Sequence, residues 1–293
     1  MNDPCRERCL AKWRPRIERW FPGWMEAHPV LRNFREGAGV VLYGSLTQGF
    51  DDEFADVDLW LLLSDDRLRA LDAGSSTRFF EFESDGKKGH MTAHTCASFR
   101  DKVHRCDMDT IFHLRRAVLL ADPGGAAGSL CRSVLAPMPA MVRRAFFMHH
   151  YIEMRSEHRA CDNPIERRDP VALLLSLPKA VAHALRAAMV LDGEPYPYDK
   201  WLYHAARRTP TGAELAPHVE AILDLLAGDG LRSGRPERDH PLSLELRAIR
   251  RVLIDRARAG GIDEPWLISW WLAMDEDERQ FAATRWSPGG PPA

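Results

Sequence analysis

The sequence predicts an α+β domain followed by an all-α helical domain. Strand signals are confined to the first 121 residues, and helical periodicity dominates after the Gly-rich segment 122–125. Strands grouped ahead of helices are typical of α+β architectures, whereas a doubly wound sheet alternates the two. We therefore expect a first domain at 1–125, a helical domain at 126–286 and a disordered tail at 287–293, where Gly and Pro are dense.

The N-terminal segment is predicted to be helical, because its apolar residues recur every three or four positions. Pro15 and Pro22 interrupt this pattern, and proline removes a backbone donor from a helix interior. We expect two short helices that turn one stripe of side chains inward. The residues of that stripe are Leu10, Trp13, Ile17, Trp20 and Trp24.

Five strands are expected after this helical segment, and together they form a mixed sheet. The first two are joined by a turn and a short helix, and the next two alternate around 85–89 as a β-hairpin. Their positions are 38–43, 57–63, 79–83, 90–95 and 117–121. Helices are then predicted, between Gly and Pro breakers, at 139–160, 170–192, 198–208, 213–227, 241–259 and 264–283.

Composition limits the possible functions. The 293 residues are 45% hydrophobic, which suffices for a sizeable core, and 40 basic against 42 acidic side chains leave no global field for nucleic acid. The charged N-terminus lacks the apolar core of a signal peptide, and no stretch approaches ~18 uncharged apolar residues. We expect a cytoplasmic protein that does not bind membranes. A nucleic-acid partner is not expected, since any binding of a polyanion must be local.

One segment, 42–63, joins an apolar strand, a Gly-Ser turn and a second strand that carries two carboxylates. Gly44 allows close backbone approach, and Ser45 adds a hydroxyl and an amide that can hold phosphate oxygens. Asp56 and Asp58 lie two residues apart, so in a strand both leave the same face. Converging carboxylates are the hard oxygen ligands that Mg²⁺ takes when it bridges phosphates. The pattern predicts a metal-assisted phosphate site.

This segment resembles the signature of the nucleotidyltransferase superfamily related to DNA polymerase β. That signature is an apolar residue, Gly, then Gly or Ser, about ten residues, and Asp-apolar-Asp. The chain looks like a bacterial branch of the superfamily in two segments. These are the motif Gly-Ser-x-x-x-Gly-Phe-Asp-Asp-Glu at 44–53 and the segment 195–202. The layout, with a helical domain after the core, is similar to antibiotic nucleotidyltransferases.

The resemblance implies roles for four residues and a set of ligands. Gly44 and Ser45 would bind the nucleotide phosphates, and Asp56 and Asp58 would bind Mg²⁺. The implied reaction transfers a nucleoside monophosphate, AMP from ATP, to a hydroxyl of a small molecule such as an aminoglycoside-like antibiotic or a metabolite, and releases pyrophosphate. The alternatives are a protein-modifying or toxin-type nucleotidyltransferase and a non-catalytic nucleotide-binding module.

The sequence departs from the family pattern at the third carboxylate. The expected strand 90–95 carries no acid, and its inward candidates are the three polar residues His90, Thr92 and His94. A two- or four-residue hairpin loop would put Glu81 and Glu83 on the same face as those residues, so that either can replace the acid, whereas an odd loop would not. Alternatively, both glutamates lie on the solvent-exposed face of an edge strand. His94 is a candidate general base or a structural histidine.

The helical half supplies weaker candidates. Lys200 follows a Pro-rich bend beside Trp201, which would fix its ammonium where it can neutralise a triphosphate; the alternative is an ordinary surface lysine. Lys179 is a weaker second candidate. A general base or groups that recognise a cationic acceptor are expected from Glu153, Glu157 and Asp169. The histidine-rich run 149–158 is expected to be a solvated helix face, because adjacent helical residues diverge.

Overall fold

The computed structural model of the chain describes residues 4–84, 86–228 and 237–287, and most of the tail predicted at 287–293 lies outside them. The chain divides into two compact units, which we call unit 1 (Met1–Ala136) and unit 2 (Pro137–Trp286). The helix Ala126–Ser133 belongs to unit 1, because it packs on the sheet and on two helices there. The division thus falls on the C-terminal side of the boundary predicted after residue 125.

Unit 1 opens with one helix, α1 (Pro4–Ala27), so the prediction of two short helices is wrong. Both prolines lie inside it, although each removes a backbone donor. The compensation is burial, since full burial of a large apolar side chain stabilises by about 1.5–3 kcal/mol. One face of α1 buries side chains at steps of four residues: Cys9, Trp13, Ile17, Phe21 and Met25.

The sheet of unit 1 is mixed, which confirms the α+β prediction. Its strands are β1 (Gly39–Tyr43), β2 (Val57–Leu63), β3 (Phe79–Ser84), β4 (Lys87–Thr95) and β5 (Val118–Ala121). Their order across the sheet is β3-β4-β2-β1-β5, with β2 and β4 parallel and the other neighbours antiparallel. The predicted hairpin is therefore confirmed as β3 and β4, and the acid-bearing strand β2 lies at the centre of the sheet.

Both faces of β2 are covered, which explains its continuous apolar sequence. On one face Leu59 and Leu61 join the core beneath α1. On the other, Trp60 stacks on Tyr43 at 3.9 Å between ring centroids and meets Phe99 at 4.6 Å. The remaining helices of unit 1 are α2 (Asp65–Gly74), α3 (Cys96–His104), α4 (Met108–Arg116) and α5 (Ala126–Ser133).

The described residues of unit 2 form helices and short 3-10 turns. The helices are α6 (Ala140–Arg167), α7 (Pro170–Leu191), α8 (Asp199–Ala206), α9 (Pro210–Ala227), α10 (Pro241–Ala259) and α11 (Met274–Ala283). The last predicted helix, at 264–283, is helical only in its second half. Pro265–Leu267 and Trp270–Leu272 are 3-10 turns, and proline at the start of the first fixes φ without supplying a helical donor.

The histidine-rich face of α6 is not solvated, contrary to the prediction. His150 is buried, with Nε2 2.7 Å from the Tyr196 hydroxyl and Nδ1 3.1 Å from Nδ1 of His183. Burial holds the pKa of His150 well below its usual value, and the neighbouring histidines add to this. Metal-ligating atoms of His149, Glu153 and Asp277 also lie within 4.8 Å of one another. Packing against α7 and α11, rather than solvent, therefore determines this face.

One described helix, α7, is long and apolar enough to span a membrane by length and composition alone. Half of its most apolar window is buried inside the structure. A core helix passes the same test, so this helix is weak evidence for membrane insertion. Lys179 and Arg186 interrupt its apolar sequence.

Candidate functional site

The candidate site begins at the turn that follows β1. Tyr43 is paired with Asp58 across β1 and β2, which brings the next residue, Gly44, against the Asp58 side chain. Gly44 has φ of 78° and ψ of −152°, a conformation that essentially only glycine adopts. A Cβ at this position would lie 1.9 Å from Oδ2 of Asp58. Glycine is therefore required here both by the backbone and by the carboxylate that occupies the space.

Ser45 begins a 3-10 turn, Ser45–Gln48, that is held against the Gly44 carbonyl. The Thr47 hydroxyl donates to that carbonyl at 2.9 Å. Ser45 is 3% exposed, and its Oγ is buried without a hydrogen-bond partner in the described chain. An unpaired buried hydroxyl costs about 1–3 kcal/mol, and a phosphate oxygen would remove that cost.

The two predicted carboxylates meet a histidine at the start of β2. The parallel register of β2 and β4 places Asp58 opposite His90. Nε2 of His90 lies 3.1 Å from Oδ1 of Asp58, and Nδ1 lies 4.0 Å from Oδ2 of Asp56. The Asp58 side chain is 13% exposed and that of Asp56 44% exposed, so the cluster has one sheltered and one open carboxylate. We call these three residues the Asp-Asp-His cluster.

Tyr43 borders the Asp-Asp-His cluster from β1. Its hydroxyl lies 3.5 Å from Nε2 of His90. Burial, with the charge of Asp58 in addition, raises the pKa of Tyr43 far above its usual value. The phenol is therefore neutral near physiological pH and keeps its proton for donation.

The loop that leads into β2 is anchored at both sides. The Asp51 carboxylate accepts from the indole nitrogen of Trp13 at 2.6 Å, and Lys87 on β4 donates to the Ala55 carbonyl at 2.9 Å. Burial opposes ionisation of Asp51, but hydrogen bonds from Lys12 and Trp13 hold its pKa below the usual value. These contacts fix the backbone on both sides of the loop ahead of Asp56. Sequence reasoning missed these anchors, because nothing in the local pattern links α1 to the loop.

The hairpin loop has the even length on which the glutamate hypothesis depended. Ser84 pairs with Lys87, so two residues close the turn, and Glu81 lies directly opposite His90. Glu83 lies opposite Lys88, farther along the hairpin, and both glutamates are exposed. Both acids thus share the sheet face of His90. His90 itself, rather than either glutamate, contacts the Asp58 carboxylate.

His94 is not brought to the carboxylates. It lies four residues along β4 from His90, about 13 Å away at ~3.3 Å per residue. It is opposite Leu62, and its ring centroid lies 5.1 Å from that of Phe99. Burial, assisted by the charges of Lys102 and Arg78, lowers the pKa of His94 to about 4. This packed neutral imidazole fits the structural alternative better than a general base.

The lysines predicted to bind the nucleotide lie in unit 2. Lys200 is exposed in the first turn of α8, with Nζ 5.0 Å from the centre of the Trp201 ring. Lys179 on α7 is paired with Glu157 at 3.3 Å, and its side chain is 62% exposed. Asp169 caps α7 by accepting from two backbone amides, which is a structural role. Both lysines remain predictions.

The donor set of the Asp-Asp-His cluster fits a divalent cation. Its ligand atoms lie within 4.8 Å of one another, and two of the three residues are carboxylates. Mg²⁺ prefers oxygen ligands and keeps several waters, so Asp56 and Asp58 suffice to hold it beside a phosphate. His90 need not ligate the metal itself. Its ring nitrogen can instead hold the Asp58 carboxylate in position, as is common around metal-ligating side chains.

Comparisons with known proteins give limited matches. Residues 104–202, from the end of α3 into α8, match the family model described as a domain of unknown function, DUF4037. No curated protein matches the chain. Among solved structures, the chain is similar to a nucleotidyltransferase-like protein from Exiguobacterium sibiricum 255-15, with 12% identity and a TM-score of 0.44 over 85% of this chain and 77% of that one.

Proposed function

We propose that the protein is a Mg²⁺-dependent nucleotidyltransferase that moves AMP from ATP to a hydroxyl group and releases pyrophosphate. One observation carries the proposal. The Gly44–Ser45 turn, with its unpaired buried hydroxyl, lies against Asp58, which is joined to Asp56 and His90. A phosphate-binding turn next to converging carboxylates supports phosphoryl chemistry with a divalent cation.

Each residue has a task in this proposal. Ser45 donates its hydroxyl to a phosphate oxygen, and Gly44 leaves room for the Asp58 carboxylate beside it. Asp56 and Asp58 hold the cation, which when bound neutralises the triphosphate and aligns the attacking oxygen. His90, whose ring nitrogens lie beside both carboxylates, takes the proton of the acceptor hydroxyl. The new bond joins that oxygen to the α-phosphorus, and the bond to the leaving pyrophosphate breaks.

For the acceptor we propose a small molecule, such as an aminoglycoside-like antibiotic or a metabolite. The net charge of −2 gives no general attraction for a nucleic acid. A small acceptor also agrees with the resemblance to antibiotic nucleotidyltransferases. A cytoplasmic location, where ATP and Mg²⁺ are abundant, belongs to the same proposal.

The experiment is an assay of pyrophosphate release from each of the four nucleoside triphosphates with Mg²⁺ and a panel of hydroxyl-bearing acceptors. Asp56→Asn is expected to abolish release, because the amide supplies no charge for the cation. Asp66→Asn is the matched control, since Asp66 is an exposed acid on α2 paired only with Arg69 among the described residues. The control should retain full activity.

Label in the α-phosphate of ATP identifies the acceptor class. Label in a small-molecule product supports the proposal, and label in protein supports a protein-modifying enzyme instead. If calorimetry shows that ATP and Mg²⁺ bind but no turnover is measured, the protein is a non-catalytic nucleotide-binding module. The presence of His90 where the family carries a third acid favours that alternative. Equal activity of Asp56→Asn and the wild type would refute the site.

A further inference from the structure

A cavity lined by arginines lies in unit 2, between α6 and α10. It has a volume of approximately 170 Å³, and Arg155, His158, Arg247 and Arg250 line it together with Trp270. A second cavity of approximately 320 Å³ shares Arg247 and Arg250 and adds further arginines of α10. All lining residues of both belong to unit 2, and none of them has a part in the proposed transfer reaction. We call the first of these the arginine cavity.

Three nitrogen atoms in the arginine cavity are buried and unpaired within the described chain. They are Nε of Arg155, Nε of Arg250 and Nδ1 of His158. Within the described chain, Nη1 of Arg155 makes a weak hydrogen bond to the Tyr151 hydroxyl at 3.5 Å. Nε of each guanidinium is a donor, whereas Nδ1 of a neutral imidazole donates or accepts according to its tautomer. The described chain thus offers no acceptor to two buried guanidinium donors of this cavity.

Charge in this region is also uncompensated. Across both cavities six arginines face three carboxylates. Asp162 is taken by Arg159 at 2.7 Å and Glu237 by Arg247 at 3.6 Å. Neither Arg155 nor Arg250 has a carboxylate within ion-pair distance in the described chain. A local excess of positive charge thus exists in a protein whose net charge is −2.

The electrostatic consequence is visible at two side chains. Burial lowers the pKa of the Arg155 guanidinium below its usual range, and the charge of Arg250 adds to that effect. Burial and three arginines, Arg155, Arg250 and Arg247, lower the pKa of His158 to about 4. His158 is therefore a neutral imidazole near physiological pH. A bound anion would relieve the repulsion between the guanidinium groups.

We propose that the arginine cavity binds the phosphate group of a nucleotide-class ligand. Guanidinium groups match phosphate oxygens with paired donors, and the unpaired nitrogens of Arg155 and Arg250 supply them. Trp270 is half-buried at the cavity, with its ring centre 5.9 Å from the Arg155 guanidinium carbon. A half-buried tryptophan ring that lines the cavity beside these arginines suits an aromatic base, because stacking on a ring is tolerant of the identity of the base.

The test is calorimetric titration of the whole protein with AMP in the absence of divalent cations. Saturable binding is expected for the wild type, and inorganic phosphate should compete. Arg250→Gln should weaken AMP binding by about tenfold or more, because hydrogen bonds to charged groups contribute about 1.5–3 kcal/mol. Arg167→Gln is the control, since it removes an exposed arginine from α6 outside the cavity.

Further variants separate this site from the Asp-Asp-His cluster and from misfolding. Asp56→Asn should bind AMP as the wild type does. Arg155→Gln should reproduce the loss seen in Arg250→Gln, and both variants should melt no lower than the wild type, because each removes an uncompensated buried charge. Raising the salt concentration should weaken AMP binding to the wild type.

Three results would overturn the proposal. They are the absence of saturable AMP binding to the wild type, wild-type affinity for AMP in both arginine variants, and AMP binding with which inorganic phosphate does not compete. A changed AMP affinity in Asp56→Asn, with wild-type affinity in Arg250→Gln, would assign the AMP to the Asp-Asp-His cluster instead.

Discussion

Replacement of Gly44 by alanine tests the geometry of the turn. The Gly44 backbone lies in a region that costs other residues about 1–3 kcal/mol. The added Cβ would lie 1.9 Å from Oδ2 and 2.8 Å from Cγ of Asp58, so the carboxylate must move. Overpacking of this kind adds about 1–3 kcal/mol. We expect Gly44→Ala to lower the free energy of unfolding by about 2–6 kcal/mol in total.

Urea denaturation followed by circular dichroism measures this change. The control is Gly23→Ala, because Gly23 lies inside α1 with nothing within 4 Å of an added Cβ. Alanine there should stabilise by about 0.5–1 kcal/mol. Gly44→Ala should also lose pyrophosphate release, because the displaced Asp58 carboxylate would no longer contact His90. A variant as stable and as active as the wild type would refute the reasoning.

Three further predictions concern the histidines of β4 and an ion pair in unit 2. His90→Ala should reduce kcat by about 10²–10⁴-fold with little change in KM for ATP, as expected for a lost general base. Steady-state kinetics measures both constants, and a loss in kcat below about tenfold would mean that His90 only positions Asp58. His94 has a folded pKa of about 4, below its unfolded value, so the unfolded state binds a proton first and the stability of unit 1 should fall as the pH drops from about 6.5 to about 4. His94→Gln should flatten that dependence in urea titrations and keep full activity; unchanged pH dependence would contradict the assignment. Hydrogen bonds from Arg144 lower the pKa of Glu264, although burial opposes this. The ion pair therefore stabilises the folded state fully at pH values above the pKa of Glu264 in the unfolded chain, and this stabilisation is lost as the pH falls through the lower pKa of the folded state. Glu264→Gln should therefore cost up to about 1 kcal/mol at neutral pH, less below about pH 4, and thermal melts that show an equal cost at both would be inconsistent with this pairing.

The central sheet and its carboxylates could be predicted because the information is local. The apolar run of β2 and the two-residue spacing of Asp56 and Asp58 specify a buried strand with both acids on one face. The even hairpin loop was one of two alternatives left open by the sequence. Its length became known only from the pairing of Ser84 with Lys87.

Long-range packing accounts for what could not be predicted. Pro15 and Pro22 are strong local breakers, but the apolar face of α1 packs on the sheet and keeps the helix whole. His90 was visible as an inward position on β4, but its contact with Asp58 depends on the parallel register of two strands that are separated by a helix and another strand. The arginine cavity joins residues of α6 and α10 that are far apart in the sequence.

The most direct test of the Asp-Asp-His cluster is the binding of Mn²⁺, as a substitute for Mg²⁺, followed by electron paramagnetic resonance. The wild type should bind the ion in the presence of ATP. Asp58→Asn should bind it at least about tenfold more weakly, because one carboxylate ligand and its contact with His90 are lost. The Asp66→Asn control should bind as the wild type does. Equal Mn²⁺ affinity in Asp58→Asn and the wild type would contradict the proposed metal site and the reaction assigned to it.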